Sequence, residues 1–301
     1  MLPVAGVPFT EHQILKARDA GISEIVLATA FKAEIFQPYF GDGNKFGIDI
    51  KYAVEESALG TGGAIRNAAN KLSNKGSTKE LVAIFNGDVL SGHDLDAQFK
   101  FHENNDADVS LYLTEVPDAR AFGAVELNKE QRVLAFNEKM ENPPTNIINA
   151  GCYIFNRDII DEITEGQVIS VERETFPTLL NRGSKVYGFL DTSYWLDIGT
   201  PTALLKASKD LLTGAINSPA TPKHNGDVLI LEGAEVDPTA TVINGSVIGA
   251  GATVDSDAVI DGTIIFDGAR IGKGAKLKNS FVAPDFLVPA NLIGEGGFFG
   301  F

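Results

Sequence analysis

From Met1 to about Gly214, short apolar runs alternate with stretches whose apolar residues recur at helical spacing. EIVLAT (Glu24 to Thr29) and LVAIF (Leu81 to Phe85) are apolar almost throughout and predict buried strands, whereas IDIKYAV (Ile48 to Val54) alternates like a strand with one covered face. TGGAIRNAANKL predicts a helix, and AEIFQPYF a short helix broken near Pro38. Thr10, with Gln13 three residues on, forms a capping box that opens a helix, and Gly21 closes it. Strand and helix in turn predict an α/β domain whose sheet is mostly parallel and covered on both faces. Ligands of such sheets sit at the carboxyl ends of the strands.

From about Asp227 a period of six takes over. Val236, Val242, Ile248, Val254, Ile260 and Phe266 stand six apart with Gly, Ala, Asp and Thr between them, and Ile271 and Leu277 resume after a slip of one residue. One apolar residue per hexapeptide predicts the coils of a parallel β-helix, in preference to a Greek-key domain. The stretch INSPATPKHNGD reads as the connection. The expected organisation is therefore a first domain over 1–214, a linker over 215–227 and a repeat domain over 228–301. The closing GEGGFFGF, with three Phe after the repeats, reads as a ragged terminus or, more plainly, a packed tail.

Charge narrows the partners. A formal net charge of −15 repels polyphosphate backbones, and no Lys/Arg stripe overrides it, so nucleic acid is excluded as a partner. A small anionic ligand would need local cations, backbone N–H groups or a metal ion. The single cysteine, Cys152, cannot form an internal disulfide, and no run reaches the roughly 18 apolar residues of a membrane span. The N-terminus has no charged-then-apolar leader pattern, and the expected setting is cytoplasmic, away from membranes.

Several strand ends carry candidate chemistry. In EESALGTGGAIRNAA, the small residues Gly60, Thr61, Gly62 and Gly63 lie between a strand-like and a helix-like run, as in a nucleotide cradle. LVAIFNGDVL places Asn86, Gly87 and Asp88 after a buried strand, where Asp88 is either a turn cap or a ligand-facing carboxylate. YWLDIGTP offers Asp197 in a similar setting, after Trp195 and before a helix opened by Thr200 and Pro201. Two such carboxylates suit a Mg²⁺ held against substrate phosphates, because that ion takes few protein ligands. AFNEKM gives Glu138 and Lys139 at a strand end: strand neighbours face opposite sides, yet together they would suit the hydroxyls and phosphate of a sugar phosphate. NAGCYIF and FGAVEL each place a Gly where a ligand could approach the backbone, or where the strand merely bulges.

LGTGGA, FNGDVL, FGAVEL, FNEKM, NAGCYIF, SVERETFP and YWLDIGTP, in this order and followed by hexapeptide repeats, resemble the sugar-1-phosphate nucleotidyltransferases, and within them the mannose-1-phosphate guanylyltransferases. The resemblance covers nearly the whole chain. It implies a Rossmann-like nucleotidyltransferase domain followed by a left-handed parallel β-helix. The implied reaction condenses a nucleoside triphosphate, GTP first, with a sugar 1-phosphate, mannose 1-phosphate first, giving a nucleotide sugar and pyrophosphate. By the same resemblance, Glu55, Leu59, Gly60, Thr61 and Gly62 line the nucleobase pocket. Gly123, Glu138, Asn149 and Gly151 bind the sugar, Lys139 its phosphate, and Asp88 and Asp197 hold Mg²⁺. The repeat domain is expected to carry homo-oligomerisation. In the family, a segment like LAAGxGTRLRPLTxxxPKP precedes the stretch that here begins MLPVAGVPF. It supplies a central strand and the triphosphate loop, so the chain as numbered is expected to turn over poorly and to leave strand edges unpaired.

Four other readings come into view. LGTGGA also occurs in relatives that use dTTP, which keeps a glucose-1-phosphate thymidylyltransferase in view, and a non-catalytic regulatory homologue would bind nucleotide sugar without making it. A hexapeptide acyltransferase would need a general base such as His on its coils, and the four histidines, His12, His93, His102 and His224, all precede the repeats. Gly60, Gly62 and Gly63 do not fit the G-x-G-x-x-G of a Rossmann dehydrogenase.

Overall fold

The computed structural model describes residues 3–29, 33–55, 57–73 and 80–301. Met1 and Leu2 at the expected start of the first domain, Ala30 just after its first predicted strand, and Glu56 in the candidate loop lie outside the described residues. In chain order the elements are β1 (Pro3–Val4), β2 (Val7–Pro8), α1 (Phe9–Asp19), β3 (Glu24–Thr29), α2 (Gln37–Phe40), β4 (Asp49–Val54), α3 (Gly60–Ala69), β5 (Leu81–Phe85), β6 (Val89–Ser91), α4 (Leu95–Asn104), β7 (Val109–Glu115), β8 (Gly123–Leu127), β9 (Val133–Glu138), β10 (Ile147–Asn156), α5 (Arg157–Asp161), a π-helical turn (Val171–Thr175), α6 (Phe176–Asn181), β11 (Val186–Leu190), β12 (Trp195–Asp197) and α7 (Pro201–Leu212). Short strands follow, from β13 (Leu229–Ile230) to β25 (Phe298–Phe299). The chain divides into two compact units, one of Lys16–Val89 with His93–Trp195, the other of Met1–Leu15, Leu90–Gly92 and Leu196–Phe301.

The Lys16–Trp195 unit is α/β. Its main sheet runs β11-β7-β10-β8-β9, with β5 also on β10, and β3 and β4 pair separately. Pairing is parallel in β3/β4 and β11/β7, but β10 runs antiparallel to β5, β7 and β8, as β8 does to β9. No helix intervenes between β7 and β10, so the βαβ unit that sets one strand parallel to the next is missing there. Both faces are covered. Val109, Leu111 and Leu113 of β7 join Tyr153, Phe155 and Phe176 in one core, while Tyr112, one residue out of phase, joins Leu95, Ala150 and Cys152 in another.

Two helix ends repay comparison with the sequence. α1 closes as expected: Gly21 takes φ +80°, its N–H donates to the Arg18 carbonyl (2.9 Å), and the Ile22 N–H donates to that of Ala17 (3.1 Å). Pro38 does not break a helix. A 3₁₀ turn over Ala33–Ile35 precedes it, and Pro38 is the second residue of α2, where its missing N–H forfeits no helical bond.

In the other unit, residues from Leu229 onward form a parallel β-helix of three sheets, with each strand paired to the one a full coil later. The coil length is eighteen residues from Leu229 to Val247 and seventeen from Val247 to Ile264, which is three hexapeptides with one residue deleted. That deletion falls before position 266. Ile265, not Phe266, stacks between Ile248 and Val282, and Phe266 is half-buried with its ring edge-on to Phe301. A hydroxyl ladder lines the deletion: Thr263 N–H donates to Ser246 Oγ (3.2 Å), Ser280 N–H to Thr263 Oγ1 (3.2 Å) and Gly297 N–H to Ser280 Oγ (3.1 Å). All three hydroxyl residues are fully buried, so each satisfies a backbone group that water cannot reach. The Phe-rich tail is packed rather than ragged. Phe298 and Phe299 pair with Phe281 and Val282, and the Phe299 ring fills the space above Gly294, where a Cβ would lie 2.4 Å from it.

Candidate active site

The site residues gather where β10 changes partners. On the edge of β10 away from β7, β5 pairs along Cys152–Asn156 and β8 at Ile148, so the end of β5 and the start of β8 meet along one strand. Between them β10 bulges: Asn149 and Tyr153 lie opposite Leu113 and Leu111 of β7, four residues against two. Gly151 occupies the bulge at φ +80°. Its carbonyl accepts the Asn86 N–H (2.8 Å), and a Cβ on it would come within 3.0 Å of Asn86 Nδ2. Asn149 holds the bulge from inside, with Oδ1 accepting the Gly151 N–H (3.2 Å) and Nδ2 donating to the Tyr153 hydroxyl (2.8 Å). Burial, then the charge of Glu172, pushes the Tyr153 hydroxyl far above its ordinary range and keeps it neutral.

The β8–β9 hairpin supplies the other side. Gly123 pairs with Glu138, and a Cβ on Gly123 would lie 2.8 Å from Glu138 Oε2 and 2.9 Å from the Phe136 ring. The glycine leaves room for the carboxylate over the backbone. Lys139 departs from the strand rule that separates neighbours, because its φ of +50° ends the strand. Its N–H donates to the Phe122 carbonyl (3.1 Å), and its ammonium stands 3.9 Å from Glu138 Oε1. Gly123, Glu138, Lys139, Asn149 and Gly151 are thus brought into neighbouring rows of β8, β9 and β10. The sequence left unassigned three residues that shape this cluster, Tyr153, Phe122 and Trp195, because none belongs to a residue type or spacing that signals a ligand.

The glycine loop is built against a second segment. Glu55 Oε2 accepts the Leu59 N–H (2.9 Å), and α3 begins at Gly60. The Ile169 carbonyl accepts the N–H groups of Gly62 (2.8 Å) and Gly63 (3.3 Å). Cβ atoms on Gly60, Gly62 and Gly63 would meet Ile169 O at 2.6 Å, Ile169 Cγ2 at 2.9 Å and Gln167 O at 2.5 Å. Thr61 completes the joint: Oγ1 accepts the Val171 N–H (2.8 Å) and donates to Glu172 Oε2 (2.8 Å). The loop's small residues let two backbones touch, which leaves the exposed Gly60 and Thr61 at its outer surface.

Asp88 is exposed in the turn after β5, and Asp197 is half-buried at the end of β12 with Oδ1 accepting the Gly199 N–H (2.7 Å). They belong to different units. Among the described residues, no group of three or more His, Cys, Asp or Glu is placed to hold a metal ion. Each of Asp88 and Asp197 is a single carboxylate, the kind of hard oxygen donor that Mg²⁺ takes.

Behind the bulge lies a buried polar cluster. Lys16 Nζ donates to His93 Nδ1 (3.0 Å) and His93 Nε2 faces Gln98 Oε1 (3.2 Å), so the proton sits on Nε2. The imidazole stacks on Tyr112 at 4.0 Å. Burial, with Lys16 adding to it, pushes His93 down to about 3, and burial pushes Lys16 down to about 8. Burial raises the Cys152 thiol to about 12, which makes it inert.

Comparison with known proteins bears on this geometry. The family model for nucleotidyl transferases matches residues 1–214. The chain belongs to the nucleotidyl transferase family. A second model, for the C-terminal hexapeptide region of GlmU-like proteins, matches residues 219–296. The chain is 49% identical over 253 residues to a mannose-1-phosphate guanylyltransferase of Mycobacterium tuberculosis, covering 84% of this chain and 69% of that protein. It is 35% identical over 212 residues to the D-glycero-alpha-D-manno-heptose 1-phosphate guanylyltransferase of Aneurinibacillus thermoaerophilus, covering 70% of this chain and 88% of the relative. Among solved structures it is similar to HddC from Yersinia pseudotuberculosis, at 26% identity and a TM-score of 0.58 over 69% of this chain and 87% of that one. HddC has also been solved in complex with GMP-PN, with a TM-score of 0.57. No helix among the described residues of this family member is long and apolar enough to cross a membrane.

Proposed function

We infer that the chain transfers a guanylyl group from GTP to a manno-configured sugar 1-phosphate, mannose 1-phosphate first. The observation that carries the reading is the Glu138 and Lys139 pair, which the positive φ of Lys139 turns together beside Gly123 and the β10 bulge. A carboxylate that accepts sugar hydroxyls stands next to an ammonium that holds a phosphate. The chemistry needed is positioning and charge neutralisation, with no covalent intermediate. A phosphate oxygen of the sugar 1-phosphate forms the new bond to the α-phosphorus of GTP, and the bond to the leaving pyrophosphate breaks in line.

The chain's residues divide that work. Lys139 holds the attacking phosphate. Glu138 and Asn149 take the sugar hydroxyls, while Gly123 and Gly151 let the ring lie close to the backbone. Glu55 and Leu59 to Gly62 form the base pocket, with Glu55 bracing the loop through the Leu59 N–H. Nucleotidyl transfer in this family uses a divalent cation, and Asp88 and Asp197 would hold Mg²⁺, which neutralises charge on the triphosphate. The hexapeptide domain serves assembly of like subunits rather than chemistry. Guanine is favoured over thymine by relatives named as guanylyltransferases and by one solved with GMP-PN. The heptose-specific relative supports a second reading, in which the sugar is a manno-heptose 1-phosphate.

Pyrophosphate release from GTP, dTTP, UTP and CTP, each with mannose 1-phosphate, glucose 1-phosphate and a manno-heptose 1-phosphate, tests the assignment. Whatever the absolute rate, release is expected to be greatest with GTP and a manno-configured acceptor. Preference for dTTP and glucose 1-phosphate would replace it with thymidylyl transfer. Tight binding of GDP-mannose without pyrophosphate release would make the chain a regulatory homologue.

A further inference from the structure

We propose that Trp195 is a positioning residue for the sugar subsite, locking the β10 bulge to the β8–β9 hairpin. The proposal rests on the sugar-phosphate reading above. The indole Nε1–H donates to the Ala150 carbonyl (3.0 Å), and Ala150 lies between Asn149 and Gly151, in the stretch of β10 that has no partner on β7. The carbonyl of the buried Ala150 has no ladder partner on β7, so the indole fixes its direction. The same ring meets Phe122 edge-on, with centroids 5.3 Å apart and planes at 82°. Phe122 precedes Gly123, and its carbonyl accepts the Lys139 N–H (3.1 Å). One side chain thus touches both halves of the cluster. It holds Asn149 and Gly151 through Ala150, and Gly123 and Lys139 through Phe122. The register pair Ile148 and Ala124 also joins β10 to β8. Trp195 also packs with Leu95, Tyr112 and Cys152, so its ring is anchored from behind and transmits little slack.

Trp195→Phe keeps an aromatic ring beside Phe122 while removing the N–H donor together with part of the bicycle, and the comparison of the two KM values separates a local effect at the sugar subsite from general loosening. In the full chain the variant should raise KM for the sugar 1-phosphate on the order of tenfold, with KM for GTP changed by less than about twofold. Amide exchange on the unliganded protein provides a readout that needs no turnover: the Asn86, Gly151 and Lys139 amides should exchange faster together, on the order of tenfold, while amides of α5 and α6 keep wild-type rates. Trp195 is the only tryptophan in the sequence, so wild-type fluorescence should shift on titration with mannose 1-phosphate alone. Equal rises in both KM values, or unchanged exchange at Gly151 and Lys139, would overturn the proposal. If the wild type fails to use any sugar 1-phosphate, the function reading falls, and the exchange data still decide whether Trp195 ties bulge to hairpin.

Discussion

Gly151 excludes a side chain for two separate reasons, its left-handed φ and the Asn86 side chain above it. Gly151→Ala should therefore lower stability by about 1–3 kcal/mol and move the melting temperature down by several degrees, whereas Gly87→Ala, where a Cβ meets nothing, should leave it nearly unchanged. Equal melting of the two variants would refute the strain argument. His93 gives the residue scale a pH signature. Its folded pKa of about 3 lies below the ordinary value of 6.5, so between these values the unfolded chain binds a proton that the folded chain refuses. Stability is then fully present above pH 6.5 and declines as pH falls toward 3. The buried His12 and His102, both lowered by desolvation, act in the same direction. Proton NMR should find the His93 imidazole neutral at pH 5, and a midpoint near 6.5 would show that the imidazole is not buried in this way in solution.

At the scale of elements, the joint between the α3 loop and residues 167–172 is made by backbone groups and one hydroxyl. Thr61→Val should cost about 1–2 kcal/mol, since it strips the Val171 N–H of its acceptor and Glu172 of one of its donors in a partly buried joint. Thr61→Ser should restore most of that loss in urea melts, and failure of Ser to do so would place the effect in packing of the methyl group. This joint also marks what could be read from sequence. Strands such as β3 and β5, the helix after the glycine loop and the hexapeptide coils follow from local period alone, and the order of the motifs nominated Gly123, Glu138, Lys139, Asn149 and Gly151, which the fold brings together. The role of the glycines did not follow, because the segment that touches them lies more than a hundred residues later in the chain. The reversal of β10, its bulge and the turn of Lys139 toward Glu138 were hidden for a related reason. Each depends on which strands become neighbours, and alternation of apolar residues reports only that a strand has a covered face. Pro38 shows the local limit, since the same residue that breaks a helix interior is welcome in its first turn.

For the whole molecule, the open question is what the repeat domain is for, and its surface bears on the answer. The last described coil carries Leu287 at 62% exposure, Ile293 at 79%, Phe298 at 55% and Phe301 at 71%, distributed over the ends of all three sheets. In the inner coils each strand has a parallel partner on both sides, and each turn buries an alanine with a larger aliphatic residue, as Ala252 with Val254 and Ala258 with Ile260, a packing that leaves the four exposed side chains out. A surface of this kind pairs most simply with the same surface of a second copy, which is self-complementary by a two-fold axis and closes without forming a fibre. The chain's net charge of −15 opposes association elsewhere but contributes little at this patch, where Glu295 is offset by Lys278 (2.8 Å). Light scattering of the full chain should therefore give a mass above the 32.1 kDa of one copy. Leu287→Glu combined with Ile293→Glu should reduce it to one copy, leave guanylyl transfer within about twofold of the parent, and change melting little, because neither side chain supports the core. A parent that is already monomeric, or a double variant that keeps the parent's mass, would remove assembly through this end as the purpose of the repeats.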